Sequence, residues 1–206
     1  KPEGLPQAFS IGEKFIGKDH VSLILGDNFF YGQSLTKILK KNINLKIGAK
    51  IFIHPVKNPH LYGVATLGRD KKVRKLLEKP RKSSSNLAVT GLYFFDNKVI
   101  QYTKQLKPSK RGELEIIDLL NIYKKKDKLK AELIGRGGSW LDTGSIKDFY
   151  DASNFVSAIE NRQGLKIACL EEIALNKKWI NKKEINESIK FYGNCEYSQY
   201  LKKLIS

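Results

Sequence analysis

The 206-residue chain has no methionine, only two cysteines, three histidines and two tryptophans, and it is short of acid: 21 Asp and Glu stand against 38 Lys and Arg, a formal charge of +17. Each shortage excludes something. Cys169 and Cys195 form no C-x-x-C pair, and a chain this long can bury a core unaided, so a disulfide scaffold is excluded and reduced, cytosolic thiols are expected. His20, His54 and His60 are too few and too irregularly spaced for a zinc site, and are expected on the surface or in loops. No apolar run approaches the roughly 18 residues a membrane-spanning helix needs, and the start lacks the zones of a secretory signal. The expectation is a cytoplasmic protein with no membrane partner. The missing initiator and the abrupt opening Lys1-Pro2-Glu3-Gly4 add the expectation of an internal or N-terminally trimmed piece of a longer protein.

What is present is globular in kind. Hydrophobic residues make up 41% of the chain and aromatics 10%, enough apolar surface to offset chain entropy. The basic excess raises the question of nucleic acid, because clustered Lys and Arg gain affinity by releasing phosphate counterions. Here it is spread in pairs and triplets, as at Lys40-Lys41, Lys124-Lys125-Lys126, Lys182-Lys183 and Lys202-Lys203, where solvated helix faces or turns are expected. No nucleic-acid partner is expected.

Val21–Leu25 is a short apolar run ending in Gly26-Asp27-Asn28, read as a buried strand and a loop. Helical spacing covers 35–45, a strand fits 49–56, two shorter strands fit 63–67 and 73–77, and 87–95 is the most β-rich stretch. Helices fit 97–106 and 113–125, a strand 129–135, and a helix 145–162 that stops at Gln163-Gly164. The tail reads as short helices. This alternation argues for an α/β fold with a central sheet, forming a single domain over 1–206 with 171–206 as a helical extension. Ligands of such sheets sit beyond the carboxyl ends of strands, so the loops after Leu25, Leu77, Val89 and Leu141 are the places to look for chemistry.

Asp27 and Asp142 are two carboxylates at separate strand ends. Such a pair can share one Mg²⁺, which favours one or two carboxylates together with phosphate oxygens. Asp27 would equally serve as a turn residue and Asp142 as a helix N-cap. In Glu78-Lys79-Pro80 a carboxylate could accept sugar hydroxyls while the ammonium meets a phosphate, or the two could form a plain strand-end ion pair. Gly63 and Gly91 offer bare backbone for a ligand's close approach, or a bulge. Arg111 precedes a helix, where its fork and free N–H groups could meet a phosphate, while Glu113 and Glu115 also suit a helix start.

The order of these segments resembles one family. Gly4-Leu-Pro-Gln-Ala-Phe9, Leu25-Gly-Asp-Asn-Phe-Phe-Tyr-Gly32, Tyr62-Gly-Val64, Leu77-Glu-Lys-Pro80, Arg111-Gly-Glu-Leu-Glu115 and Trp140-Leu-Asp-Thr-Gly144 together resemble the bacterial glucose-1-phosphate thymidylyltransferases. The L-G-D-N, E-K-P and W-x-D-T-G patterns are shared by several sugar nucleotidyltransferases, whereas Arg162–Ile173 is more typical of the thymidylyl branch.

The resemblance implies a Rossmann-like nucleotidyltransferase domain with a mixed central sheet flanked by helices. It implies thymidylyl transfer from dTTP to α-D-glucose 1-phosphate, Mg²⁺ as cofactor and a homotetramer. Asp27 and Asp142 match magnesium ligands, and Gly4 matches a glycine of the base-binding loop. Asn28, Gly63, Glu78 and Val89 match residues around the glucosyl group, Lys79 and Arg111 match basic residues near the phosphates, and Trp140 fits either a wall of the sugar site or a core aromatic. Tyr31, Gly32 and Arg136 lie in segments matching a second, regulatory nucleotide site. Another base or sugar, or a non-catalytic sugar-nucleotide-binding homologue, stays open as an alternative. The family's glycine-rich G-G-x-G-T-R-L loop, with its arginine and the lysine after it, has no counterpart in the 206 residues. Preorganised cations at a phosphoryl centre matter by orders of magnitude in rate, so the activity is expected of the complete protein and not of this stretch alone.

Overall fold

The computed structural model describes all 206 residues, which form two compact units, Lys1–Gly144 and Ser145–Ser206. The first is built around β6 (Leu87–Phe95), where every residue after Leu87 is buried. A strand covered on both faces needs a largely apolar sequence, which it has apart from Thr90, whose hydroxyl donates to Phe52 O (3.0 Å). β3 (Ala49–Pro55) pairs antiparallel along one edge of β6, and β7 (Leu129–Leu133) adds to β3 in parallel. On the other edge two strands share β6: β1 (Val21–Ile24) pairs with its C-terminal half, Leu92–Phe95, and β4 (Val64–Leu67) with Leu87 and Ala88. β5 (Val73–Leu77) lies outside β4. The sheet is therefore mixed, as expected.

Alternate residues of β6 serve two cores, because successive side chains point to opposite faces. Tyr93 and Phe95 join Phe9 of α1 (Gln7–Ile11), Val99 and Ile100 of α4 (Lys98–Thr103) and Leu120 and Tyr123 of α5 (Ile116–Lys125). Leu92 and Phe94 join Phe52 and Ile134, with Ile38 and Leu39 of α3 (Leu35–Ile43) and Trp140 packed against them. Trp140 belongs to a small second sheet that the sequence pattern did not foretell, β2 (Asn28–Gly32) against β8 (Gly138–Asp142), antiparallel with Asn28 opposite Asp142. α2 (Glu13–Ile16) is a single turn.

Two expectations need correction. β1 is not buried: it has a partner on one side only and alternates half-buried with exposed residues, leaving Ile24 59% exposed. The helix expected from Glu113 begins at Ile116, because Glu115 is extended (φ −90°, ψ 134°) and its carboxylate is engaged elsewhere.

The second unit is helical. α6 (Ile146–Gln163) starts at Ser145, whose hydroxyl accepts from the Asp148 N–H, and ends at Gly164 in the left-handed conformation. α7 (Leu170–Asn176), α8 (Lys182–Tyr192) and α9 (Glu196–Ile205) pack around Cys169, Ile185, Tyr200 and Leu201. Asn181 and Glu184 form a reciprocal capping box on α8. Both cysteines are free thiols. No helix is long and apolar enough to cross a membrane.

Candidate active site

β1 and β4 diverge along their shared edge of β6, and the gap opposite Val89–Gly91 holds the site. There the ladder is reduced to separate bonds: the Val89 N–H donates to Gly63 O (2.7 Å), and the Leu25 N–H to Gly91 O (2.9 Å). The Asn28 side chain fills the space between. Its Oδ1 accepts from the Gly91 N–H (2.9 Å) and from the Trp140 indole Nε1 (2.6 Å), and its Nδ2 donates to Asp27 Oδ1 (2.8 Å). Gly91 is glycine for this reason: a Cβ there would stand 2.6 Å from Asn28 Cγ. The bare backbone expected to admit a ligand is occupied by the chain's own amide.

Asp27 lies in the turn between β1 and β2, as the turn reading had it, yet its carboxylate also faces the space beside Gly144 that Asp142 borders. Thr143 ties the two segments through its N–H and its hydroxyl, both donating to Asp27 O (2.8 and 2.9 Å). Asp142 Oδ1 accepts from the Gly144 N–H (3.0 Å), so Asp142 is not the cap of α6, a role Ser145 fills. A Cβ placed on Gly144 would lie 3.1 Å from Asp142 Oδ1 and 3.7 Å from Asp27 Oδ2, so the two carboxylates flank one small space. No group of three or more His, Cys, Asp or Glu side chains is placed to hold a metal ion, so the pair is a two-carboxylate arrangement.

Trp140 continues the site toward the sheet. Its ring meets Tyr62 edge-on at 5.1 Å, and His54 at 6.4 Å. The two roles weighed for Trp140 coexist, since one face packs on the second core while the N–H holds Asn28. His54 is not a loop residue: it sits half-buried in β3, and its Nδ1 is buried without a hydrogen-bond partner. Beside Tyr62, Gly63 is hemmed in, a Cβ there lying 2.7 Å from Ile117 Cδ1 and 3.4 Å from Glu78 Oε2. Val89 is 7% exposed and presents only its backbone to Gly63.

Glu78, Lys79 and Arg111 border an open cavity of about 510 Å³ that also reaches Ser109, Glu115 and Asp118. Lys79 adopts a left-handed φ of 38°, uncommon for a non-glycine residue, and donates its N–H to Tyr62 O (3.1 Å). Arg111 faces three carboxylates: Nη1 is 3.8 Å from Glu78 Oε1 and 3.6 Å from Glu115 Oε1, and Nη2 is 3.4 Å from Glu113 Oε2. Burial, and next the neighbouring Glu115, raise the Glu78 carboxyl above the ordinary glutamate range, while Lys79 and Arg111 pull it back down. The buried Tyr93 phenol is raised by burial and then by Glu78 and Asp27, whose charges it feels together.

Gly4 lies at φ 118° against the loop that carries Arg111: the Leu114 N–H donates to Glu3 O (2.6 Å), and a Cβ on Gly4 would fall 2.3 Å from Leu114 O. Tyr31 and Gly32 lie in β2, where Gly32 faces Gly138. Thr143, Tyr62 and Tyr93 were not singled out from the sequence, and each contributes through a partner remote in the chain, a relation no local pattern carries. Glu115, read only as a helix-start residue, instead turns to its near neighbours Ser109 and Arg111.

The nucleotidyl transferase family model matches residues 1–159. Curated relatives named glucose-1-phosphate thymidylyltransferase include one from Neisseria meningitidis serogroup A, 46% identical over 99% of this chain and 71% of its own length, and one from Mycobacterium tuberculosis, 42% identical over 100% and 71%. The chain belongs to the glucose-1-phosphate thymidylyltransferase family. Among solved structures of that fold, a Bacillus anthracis protein provisionally assigned as a glucose-1-phosphate thymidylyltransferase, in complex with sucrose, aligns with TM-score 0.66 and 38% identity over 75% of this chain and 61% of its own. A UDP-glucose pyrophosphorylase complexed with UDP-glucose aligns with TM-score 0.67 and 25% identity, over 75% of this chain and 62% of its own. The chain thus spans about 71% of the length of these curated thymidylyltransferases and less than two thirds of the solved structures.

Proposed function

We propose that the protein carrying this chain transfers a thymidylyl group from dTTP to α-D-glucose 1-phosphate, giving dTDP-glucose and pyrophosphate. The observation that carries the reading is the convergence of Asp27 and Asp142, from opposite ends of the first unit's sequence, on the space beside Gly144. A phosphate oxygen of the sugar phosphate attacks the α-phosphorus in line. The new P–O bond forms as the bond to the β-phosphate breaks, and pyrophosphate leaves with the displaced electron pair. No covalent nucleophile and no proton transfer to the protein are required, so positioning does most of the work.

Asp27 and Asp142 would hold Mg²⁺. Two hard carboxylates with no sulfur or imidazole donor beside them fit that ion, which completes its shell with phosphate oxygens and water. Bound there, the ion supplies charge neutralisation and Lewis-acid polarisation at the α-phosphate. Asn28 holds Asp27 in place. Glu78, with the backbone at Gly63 and Val89, would accept the glucosyl hydroxyls beside the Trp140 ring, and Lys79 and Arg111 would meet the sugar phosphate. Gly4 would lie in the wall around the base. A homotetramer in the cytoplasm is the assembly and location this reading carries. The 206 residues alone are expected not to turn over, for want of a glycine-rich phosphate loop.

The test is pyrophosphate release by the complete protein with dTTP, glucose 1-phosphate and MgCl₂. Asp27→Asn and Asp142→Asn should each lose activity by at least about a hundredfold, since each removes charge at a phosphoryl centre. Full turnover by Asp142→Asn would end the reading.

A further inference from the structure

Three carboxylates surround Arg111, and they are not equivalent. The Glu115 side chain is only 10% exposed, its Oε1 accepts from the Ser109 hydroxyl (2.8 Å), and the same Oε1 stands 3.6 Å from Arg111 Nη1. The Ser109 hydroxyl is itself fixed, because its oxygen accepts from the Arg111 backbone N–H (3.1 Å). Backbone, hydroxyl, carboxylate and guanidinium thus close a ring that leaves Nη1 directed at the buried Glu115 and at Glu78 beyond it. A carboxylate taken out of water requires a compensating cation, and Arg111 is the one within reach of Glu115, which makes this contact hard to give up. Glu113 differs. Its side chain is 49% exposed, and it touches the other terminal nitrogen, Nη2, at 3.4 Å, in water-screened surroundings where an ion pair contributes little.

We propose that Glu115 is a positioning residue for the arginine that receives the sugar phosphate, and that Glu113 is a competing carboxylate which the phosphate displaces from Nη2. A phosphate binds arginine best through two parallel N–H···O bonds. With Nη1 held by the buried pair, the edge of the fork at Nη2 is the one to be vacated, and only the exposed, weakly held Glu113 stands in the way. The arginine is therefore already aimed before the phosphate arrives, and binding exchanges one anion for another. This rests on the reading of the cavity beside Glu78 and Arg111 as the seat of glucose 1-phosphate.

The experiment uses the complete protein, with calorimetric titration of glucose 1-phosphate alone and KM values for both substrates. Glu113→Gln should tighten glucose 1-phosphate binding between about 1.5-fold and 5-fold, the range of an exposed ion pair, with the KM for dTTP unchanged. Glu115→Gln should weaken that binding on the order of tenfold, again without moving the KM for dTTP, and Glu115→Asp should recover part of the loss. A merely structural role for Glu115 would move both KM values together, and that result overturns the proposal. So does weaker or unaltered binding by Glu113→Gln. Should Glu115→Gln fail to fold, Glu113→Gln and Glu115→Asp decide by the same titration. If the wild type binds glucose 1-phosphate without thymidylyl transfer, the proposed function fails while this inference stands. If it binds none, the inference falls.

Discussion

Replacing Asn28 by alanine should damage stability and catalysis together, by amounts that follow from its contacts. The side chain accepts from Gly91 N and Trp140 Nε1 and donates to Asp27 Oδ1. A net hydrogen bond contributes about 1 kcal/mol, and a shielded donor left without an acceptor loses about 1 to 3 kcal/mol. Because the Trp140 donor sits on a half-buried residue, water can satisfy some of the deficit, so the expected loss is about 2–4 kcal/mol. Trp140→Phe removes the donor, for about 1 kcal/mol, and gives up part of the indole's packing on the second core besides. The two changes share a contact, so the double mutant should fall short of additivity by about 1 kcal/mol. Equilibrium urea unfolding of the four proteins gives the cycle. Turnover at saturating substrates should also drop in Asn28→Ala, because Asp27 loses the amide that fixes its orientation. Strict additivity, or a loss under about 0.5 kcal/mol for Asn28→Ala, would refute this account of the gap between β1 and β4.

Gly91→Ala attacks the same contact from the backbone side: with Asn28 Cγ only 2.6 Å from the new carbon, the amide must be expelled, and unfolding should show a loss of about 1–3 kcal/mol with the kinetic defect of Asn28→Ala. Gly4→Ala meets Leu114 O at 2.3 Å in a left-handed backbone, so its melting temperature should fall clearly, whereas Gly164→Ala, also left-handed but with open space around it, should fall less. Burial and Glu115 raise the Glu78 pKa in the folded state, so folding loses stability as pH rises from the unfolded glutamate value through the raised one. Glu78→Gln should therefore be more stable than wild type at neutral pH, with the gap closing as the medium becomes acidic; a gap independent of pH between 4 and 8 contradicts the raised pKa.

Much of the first unit could be read from residue order because its signals are local. The β-rich composition of Leu87–Phe95 announces β6, and the spacing of Ile117 and Leu120 announces the buried side of α5. The β2–β8 ladder escaped because neither Asn-Phe-Phe-Tyr-Gly nor Gly-Ser-Trp-Leu-Asp alternates: all ten residues are half-buried, and each strand acquires its identity from a partner more than a hundred residues away. The site shows the same split. Asp27, Glu78 and Asp142 are visible as strand-end carboxylates, but that Asn28 links Gly91 to Trp140, or that Arg111 faces Glu78, depends on contacts made only once the chain has closed.

Antiparallel pairing of Asn28 with Asp142 sets the backbone separation of the two acidic residues by register, before the Asn28 amide orients the Asp27 carboxylate. Sliding either strand by one position would turn Trp140 away from Asn28 and send its neighbours to the opposite face. Insertions or deletions within these five-residue segments should accordingly be among the least tolerated changes in the polypeptide, while lengthening the exposed Gly68–Lys71 turn should pass almost unnoticed.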